Sequence, residues 1–278
     1  MNSASVDPVR IAQQYYDSND ADQFYFNIWG GEDIHIGLYV AEDDSVGLAS
    51  RRTVSRMATE LAEYPAGTRV LDIGAGYGGA ARHLAMHHGF HVTCLNLSET
   101  QNQRNRSLNR AGGLAEQVTV VQGNFESLPF ESGAFDVVWS QDAILHSGNR
   151  RQVLQEVTRV LRRTGRFVFT DPMQADDCPD GVLDAVFARI HLDSLASFAF
   201  YRRELTQLGM SEVRVIPLAS QLLRHYQRVR DELVQQYDRM VELASKQYVD
   251  GMISGLDNWI KAAAAGHLAW GILHYQAS

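Results

Sequence analysis

Through the middle of the chain, short apolar runs alternate with segments whose apolar residues recur every three or four positions. Arg69–Ile73, His91–Leu95, Val118–Gln122, Phe135–Ser140 and Arg166–Thr170 read as buried strands. Ala80–His88, Glu99–Arg110 and Arg151–Arg162 read as the helices between them. In the last of these, Val153, Leu154, Val157, Val160 and Leu161 make one apolar stripe. Strands and helices in alternation, with short connections, predict a mostly parallel sheet covered on both faces.

The flanks follow another rhythm. Arg10–Tyr16 and Leu48–Tyr64 read as helices, the second closed by Pro65-Ala66-Gly67, and an aromatic, glycine-rich stretch from Phe24 to Gly37 lies between them. After Asp171 come a polar loop and helix (Asp176–Ser197), a helix at Tyr201–Leu208 and a strand at Glu212–Pro217. A long helix at Ser220–Lys246, another at Tyr248–Ala265 and a terminal strand at His267–Tyr275 complete the pattern. Long insertions on such a sheet cap the crevice at the carboxyl ends of the strands. The expected organisation is one domain: an N-terminal lid (1–65), a ligand-binding core (66–175), a cap carrying one core strand (176–265) and the terminal strand (266–278). The amphipathic face of Ser220–Lys246 suits packing on the sheet or a subunit contact equally, so a homo-oligomer is not inferable from it.

Composition narrows the function. With 278 residues, 45% of them hydrophobic and 21% charged, the chain can bury a large core. A net charge of −8 without a basic run argues against nucleic acid as the main partner. No apolar stretch approaches the roughly 20 residues that cross a bilayer, so no membrane partner is expected. Met1–Gln14 lacks a basic region followed by an apolar one, so no secretory signal is expected, and Cys94 and Cys178 suit reduced thiols in a cytoplasmic protein. His83, His87, His88 and His91 fall on a helix exit and a strand start without ligand spacing, so no metal is expected.

The chemistry starts at Val70-Leu71-Asp72-Ile73-Gly74-Ala75-Gly76-Tyr77-Gly78-Gly79, a strand running into a glycine turn and a helix start. Glycines there let backbone approach a nucleotide-like ligand. Alone, the pattern suits a dinucleotide fold, an S-adenosylmethionine fold or a tight turn. Asn96 closes the second strand, where its amide can bond ribose hydroxyls in any nucleotide fold. Together with Gly123-Asn124-Phe125 and Phe135–Ser140, the segment resembles the class I S-adenosylmethionine-dependent methyltransferases. Gln13–Asp17, Trp29-Gly30-Gly31-Glu32-Asp33-Ile34-His35-Ile36-Gly37 and Ser140-Gln141-Asp142-Ala143-Ile144-Leu145-His146 sharpen this. They resemble the sarcosine/dimethylglycine N-methyltransferases, which make the osmoprotectant glycine betaine. The last segment also resembles the phosphoethanolamine methyltransferases.

The resemblance implies a Rossmann-like α/β fold with a mostly parallel seven-stranded sheet, and S-adenosyl-L-methionine as cofactor. It places cofactor contacts at Tyr16, His35, Asp72, Gly74, Gly76, Asn96, Leu97, Gln101, Asn124, Phe125 and Gln141. Asn96 and Asn124 stand where that family often has acidic residues. His146 and Asp142 become catalytic candidates, with Tyr16 (or Tyr15) closing the site from the lid. His146 is a reasonable proton acceptor near neutral pH, and a helical segment would put Asp142 on the same face. Trp29 is the best candidate to face a cationic amine. Arg189 in the cap suits the carboxylate of a small amino-acid substrate, with Tyr201 beside Arg202 and Arg203 as a further substrate-binding candidate. The rivals are methylation of another small amine, carboxylate or phosphobase, a nicotinamide-dependent oxidoreductase, and an S-adenosylmethionine sensor without turnover.

Overall fold

The structure, a computed structural model, describes residues 13–190 and 194–278, without the side chains of residues 189 and 190. After a helical turn at 13–16 comes α1 (Asn19–Phe24), started by Ser18, whose hydroxyl accepts the Ala21 N–H at 3.2 Å. A π-helical turn, Tyr25–Trp29, continues it, a geometry frequent at functional sites. The next helix, α2 (Val46–Ala58), is capped by Ser45 and begins two residues before the expected start.

Then the alternation unfolds: β1 (Arg69–Ile73), α3 (Gly79–His88), β2 (His91–Asn96), α4 (Glu99–Ala111), β3 (Val118–Gln122), β4 (Phe135–Gln141), α5 (Arg150–Val160) and β5 (Leu161–Thr170). Each expected strand of this run forms. Its last helix stops at Val160, because Leu161 already pairs with Phe135 across a bulge. The remaining elements are β6 (Met173–Gln174), α6 (Asp184–Ile190), α7 (Phe198–Gln207), β7 (Met210–Pro217), α8 (Ala219–Gln235), α9 (Tyr237–Leu243), α10 (Lys246–Ala264), β8 (Leu268–Ala269) and β9 (Gly271–Ala277).

Seven strands make one sheet in the order β3-β2-β1-β4-β5-β9-β7, with β1 to β5 parallel and β9 antiparallel to both its neighbours. This is the Rossmann-like arrangement expected. Two expectations of the C-terminal part change. The long helix divides at Gln236, where α9 turns onto α1: Asn19 Nδ2 donates to Leu243 O at 3.2 Å and Ser245 N–H donates to Asp20. The terminal strand divides at Trp270 into β8, which pairs with β6, and β9, which enters the large sheet.

The lid shares its core with the cap. Phe24, Ile28 and Trp29 pack in one buried cluster with Leu222, Tyr226, Leu256 and Trp259 of α8 and α10. Burying each such side chain contributes about 1.5–3 kcal/mol, so the lid is an integral layer and not a loose flap. On its other side it is tied to α4. The Asp17 carboxylate accepts from Ser98 Oγ at 2.6 Å and Thr100 N–H at 3.3 Å, and Asp22 accepts from Arg104 and Tyr77. Among the described residues, no helix is long and apolar enough to cross a membrane.

Candidate active site

The carboxyl ends of β1 to β4 open into a cavity, the place where sheets of this kind bind ligands. Gly74 and Gly76 line it after β1, Asn96 and Leu97 after β2, Asn124 and Phe125 after β3, and Gln141 to Ala143 after β4. Gly74 adopts φ +73°, and a Cβ there would run into Ala143 Cβ, so this turn admits only glycine. Asn96 Nδ2 donates to Gln101 Oε1 at 2.9 Å, which couples two lining amides. The Glu126 N–H donates to Asn124 Oδ1 at 2.8 Å and fixes the turn carrying Phe125.

Behind the glycine turn, Asp72, His35, Gln141 and Gly74 line a pocket of about 310 Å³. Burial pushes the Asp72 carboxyl up to about 7, His35 opposing the shift and Asp33 adding to it. Among the described residues neither ring nitrogen of His35 has a hydrogen-bond partner, and Gln141 Nε2 has none although its Oε1 accepts from Trp139. Buried polar atoms left this way mark a place for a polar ligand. Paired amides for vicinal hydroxyls, Leu97 and Phe125 flanking a flat base, and orphaned groups beyond the glycines fit S-adenosyl-L-methionine. Every expected cofactor contact except Asp72 and His35 lines the larger cavity; those two line the pocket behind it.

A third cavity, about 450 Å³, lies under the lid and is bounded by Trp29, Ile36, Leu145, Pro172, Tyr226 and Trp259. It shares Tyr16, Tyr25, Ile34, Asp142 and His146 with the large cavity. The Tyr16 hydroxyl lies 2.8 Å from His146 Nε2, with the two rings edge to face. Tyr15 points elsewhere, its hydroxyl 3.0 Å from that of Tyr248, so Tyr16 is the lid tyrosine that meets His146.

Asp142 is not on a helical face with His146. It sits at φ +50° just past β4, and the 3₁₀ turn Ile144–His146 begins after it. The strand end and this turn nevertheless bring both side chains to the same wall. The Asp142 carboxylate accepts the Ile36 N–H at 2.6 Å and Trp270 Nε1–H at 2.8 Å, bonds joining lid, core and C-terminal segment. Burial raises its pKa, while His35 and these donors pull it back.

One substrate-side expectation changes. Tyr201 is fully buried on the sheet side of α7, where its hydroxyl donates to Asp171 at 2.6 Å, and it lines neither cavity. Its helix phase places it against Phe169, so it supports the site from below: Asp171 also accepts the Leu145 N–H at 2.9 Å, one residue before His146. Burial pushes Asp171 up to about 7. Arg202 pairs with Glu212 and Arg203 with Glu204, away from the cavities. Arg189 falls in α6, but its side chain lies outside the described residues. Sequence reading missed Tyr226, Trp259 and Trp270. Only their large aromatic side chains on cap segments pointed to them, and that signal equally describes core packing.

Residues 71–169 match the Methyltransferase domain family. The chain is 55% identical over 264 residues to the sarcosine/dimethylglycine N-methyltransferase of Aphanothece halophytica, covering 95% of each protein. Its identity to the enzyme of that name from Halorhodospira halochloris is 47% over 268 residues, covering 96% of each. The crystal structure of a candidate sarcosine dimethylglycine methyltransferase from Galdieria sulphuraria superposes with a TM-score of 0.90 at 39% identity, covering 95% of this chain and 99% of that one. A glycine-turn cavity joined to an aromatic one through tyrosine, histidine and aspartate, in a chain this similar to these enzymes, places the protein in the sarcosine/dimethylglycine N-methyltransferase family.

Proposed function

We propose that this enzyme transfers methyl groups to the nitrogen of sarcosine and dimethylglycine, giving glycine betaine. The observation that carries this reading is that Tyr16, Asp142 and His146 line both cavities, so a donor in one and an acceptor in the other would meet beside them. S-adenosyl-L-methionine is the cofactor and supplies a sulfonium-activated methyl carbon when bound. Little covalent help is then required of the protein, which must position the amine, exclude water and provide for its proton.

A tertiary amine of pKa on the order of 10 is mostly protonated at neutral pH and cannot attack until it loses that proton. His146, bonded to the Tyr16 hydroxyl, is the group we assign to take it. Asp142, on the same wall, favours the ammonium form on entry and holds Ile36 of the lid in place. The new N–C bond forms as the C–S bond breaks, its electron pair leaving with sulfur. Tyr16, Tyr25 and Tyr226 line the cavity under the lid with ring faces and edges that suit methylated ammonium groups. In this reading residues 1–65 are a lid, 176–265 a cap, and the enzyme is cytoplasmic, as its two unpaired cysteines, Cys94 and Cys178, suit.

A phosphobase acceptor would call for several cations around its phosphate. Among the described residues, neither cavity is lined by lysine or arginine, so the amino-acid reading is favoured. The test is transfer from labelled S-adenosylmethionine to glycine, sarcosine, dimethylglycine and ethanolamine phosphate. Label passing from sarcosine or dimethylglycine into betaine is expected. Transfer only to ethanolamine phosphate, or to none of them, overturns the assignment.

A further inference from the structure

Sarcosine and dimethylglycine carry a carboxylate as well as an amine, and the group that receives it decides which amines are accepted. Among the described residues, the carboxylate and imidazole groups around the aromatic cavity are those of Asp142, His146 and His35, and no lysine or arginine lines it. Asp142 repels an anion and already accepts two N–H groups, while His146 is bonded to Tyr16. His35 also lines the pocket behind the glycine turn, 3.7 Å from Asp33.

Two indoles complete the wall. Trp29 and Trp259, only 7% and 1% exposed, both line the cavity, and neither Nε1–H has a partner among the described residues. An N–H buried unpaired costs free energy until a ligand satisfies it. Tyr226 orients the pair: Trp259 stacks on its ring at 4.8 Å and Trp29 meets it edge-on at 5.7 Å.

We propose that the indole N–H groups of Trp29 and Trp259 receive the substrate carboxylate. They thereby determine specificity for N-methylated amino acids over amines that lack one. Neutral donors suit this ligand. The substrate is a zwitterion whose cationic end lies by Asp142, so its charge is balanced within the cavity. A buried guanidinium would stand uncompensated whenever the site emptied.

The proposal rests on the function assigned above, and its test separates the two. Trp259→Phe and Trp29→Phe keep a ring and remove the N–H. KM and kcat are measured on the full chain with dimethylglycine and with N,N-dimethylisobutylamine, in which an isopropyl group without any acceptor atom replaces the carboxylate, alongside affinity for S-adenosylhomocysteine. A hydrogen bond to a charged group is typically worth a tenfold to hundredfold change in binding. Each variant should therefore show a KM for dimethylglycine raised about tenfold or more, with kcat within threefold, cofactor-product affinity unchanged and the alkylamine's KM within twofold of wild type. Equal rises for both acceptors would reduce the indoles to pocket walls and overturn the proposal, as would a dimethylglycine KM within twofold of wild type. Wild-type protein supplies a readout that does not depend on how the variants fold: betaine should bind at least tenfold more tightly than choline, which replaces the carboxylate by a hydroxymethyl group. Equal or tighter binding of choline also overturns the proposal. If wild type fails to methylate dimethylglycine, the functional assignment falls, and the betaine–choline comparison still decides the carboxylate site.

Discussion

The two halves of the active site are built on opposite plans. The cofactor half is made from consecutive strand ends of one parallel sheet, each contributing two or three adjacent residues, and its amides are coupled by local hydrogen bonds. The acceptor half has no local unit. Trp29 comes from a π-helical turn, Pro172 from the end of β5, and Tyr226 and Trp259 from two cap helices, held together by ring packing in one buried cluster. The difference separates two demands. A fixed cofactor is served by backbone geometry, which a glycine turn sets rigidly, whereas a small acceptor is recognised by shape and by a few donors that side-chain choice can retune.

If the halves are energetically distinct, a change at their shared wall should damage chemistry and spare binding. His146→Ala should lower turnover about a hundredfold to ten-thousandfold, with affinity for S-adenosylhomocysteine within twofold by calorimetry. Parallel loss of both would erase the distinction. The next effect lies wholly in the cofactor half. Asp72 binds its proton up to about pH 7 in the folded protein but only to about 3.9 unfolded. Between those values the folded form alone holds the proton, so this group's contribution to stability falls as pH rises from about 4 to about 7 and stays low above. Asp72→Asn should therefore melt higher than wild type at pH 8, by up to about 4 kcal/mol in stability, and converge with it near pH 4, both without ligand. A constant difference across that range would mean the carboxylate is already ionised in the fold.

Gly74→Ala should weaken cofactor-product binding at least tenfold and cost about 1–3 kcal/mol of stability, because the new Cβ meets Ala143 in a left-handed backbone conformation. Retained affinity would show that the turn can yield. The smallest effect is expected from Arg202→Ala. This exposed guanidinium is occupied by Glu212 at 3.0 Å, so KM for dimethylglycine should stay within twofold. A large rise would bring a guanidinium into acceptor binding.

The same contrast explains what could be read from the residues alone. Strands β1 to β5 follow from apolar runs that act over a few positions, and Gly74 and Asn96 stand out at strand ends, whereas Phe125 was placed on the cofactor wall by likeness to a family. The Tyr16–His146 meeting joins residues 130 apart and was legible only through likeness to a family. Tyr201 was misplaced because helix phase decides which face is buried, and an arginine-rich neighbourhood looked like a site when it was a solvated surface. The break at Gln236 had no glycine or proline to announce it. Contacts of α9 with α1 accompany it, and tertiary packing of this kind overrides local preference. Trp259 could not be told from core by periodicity, since its face is apolar and it does pack; its unpartnered N–H is visible only in three dimensions.

Strand β9 adds a constraint on biosynthesis. It is translated after every other strand of the sheet, yet it lies inside, between β5 and β7. Until β9 is made, β5 keeps an open hydrogen-bonding edge and β7 lacks its partner in the sheet. The residue just before that strand, Trp270, brings the N–H that holds Asp142. The sheet and the reacting wall are thus finished by the same short stretch of translation, and a chain released early would lack both at once.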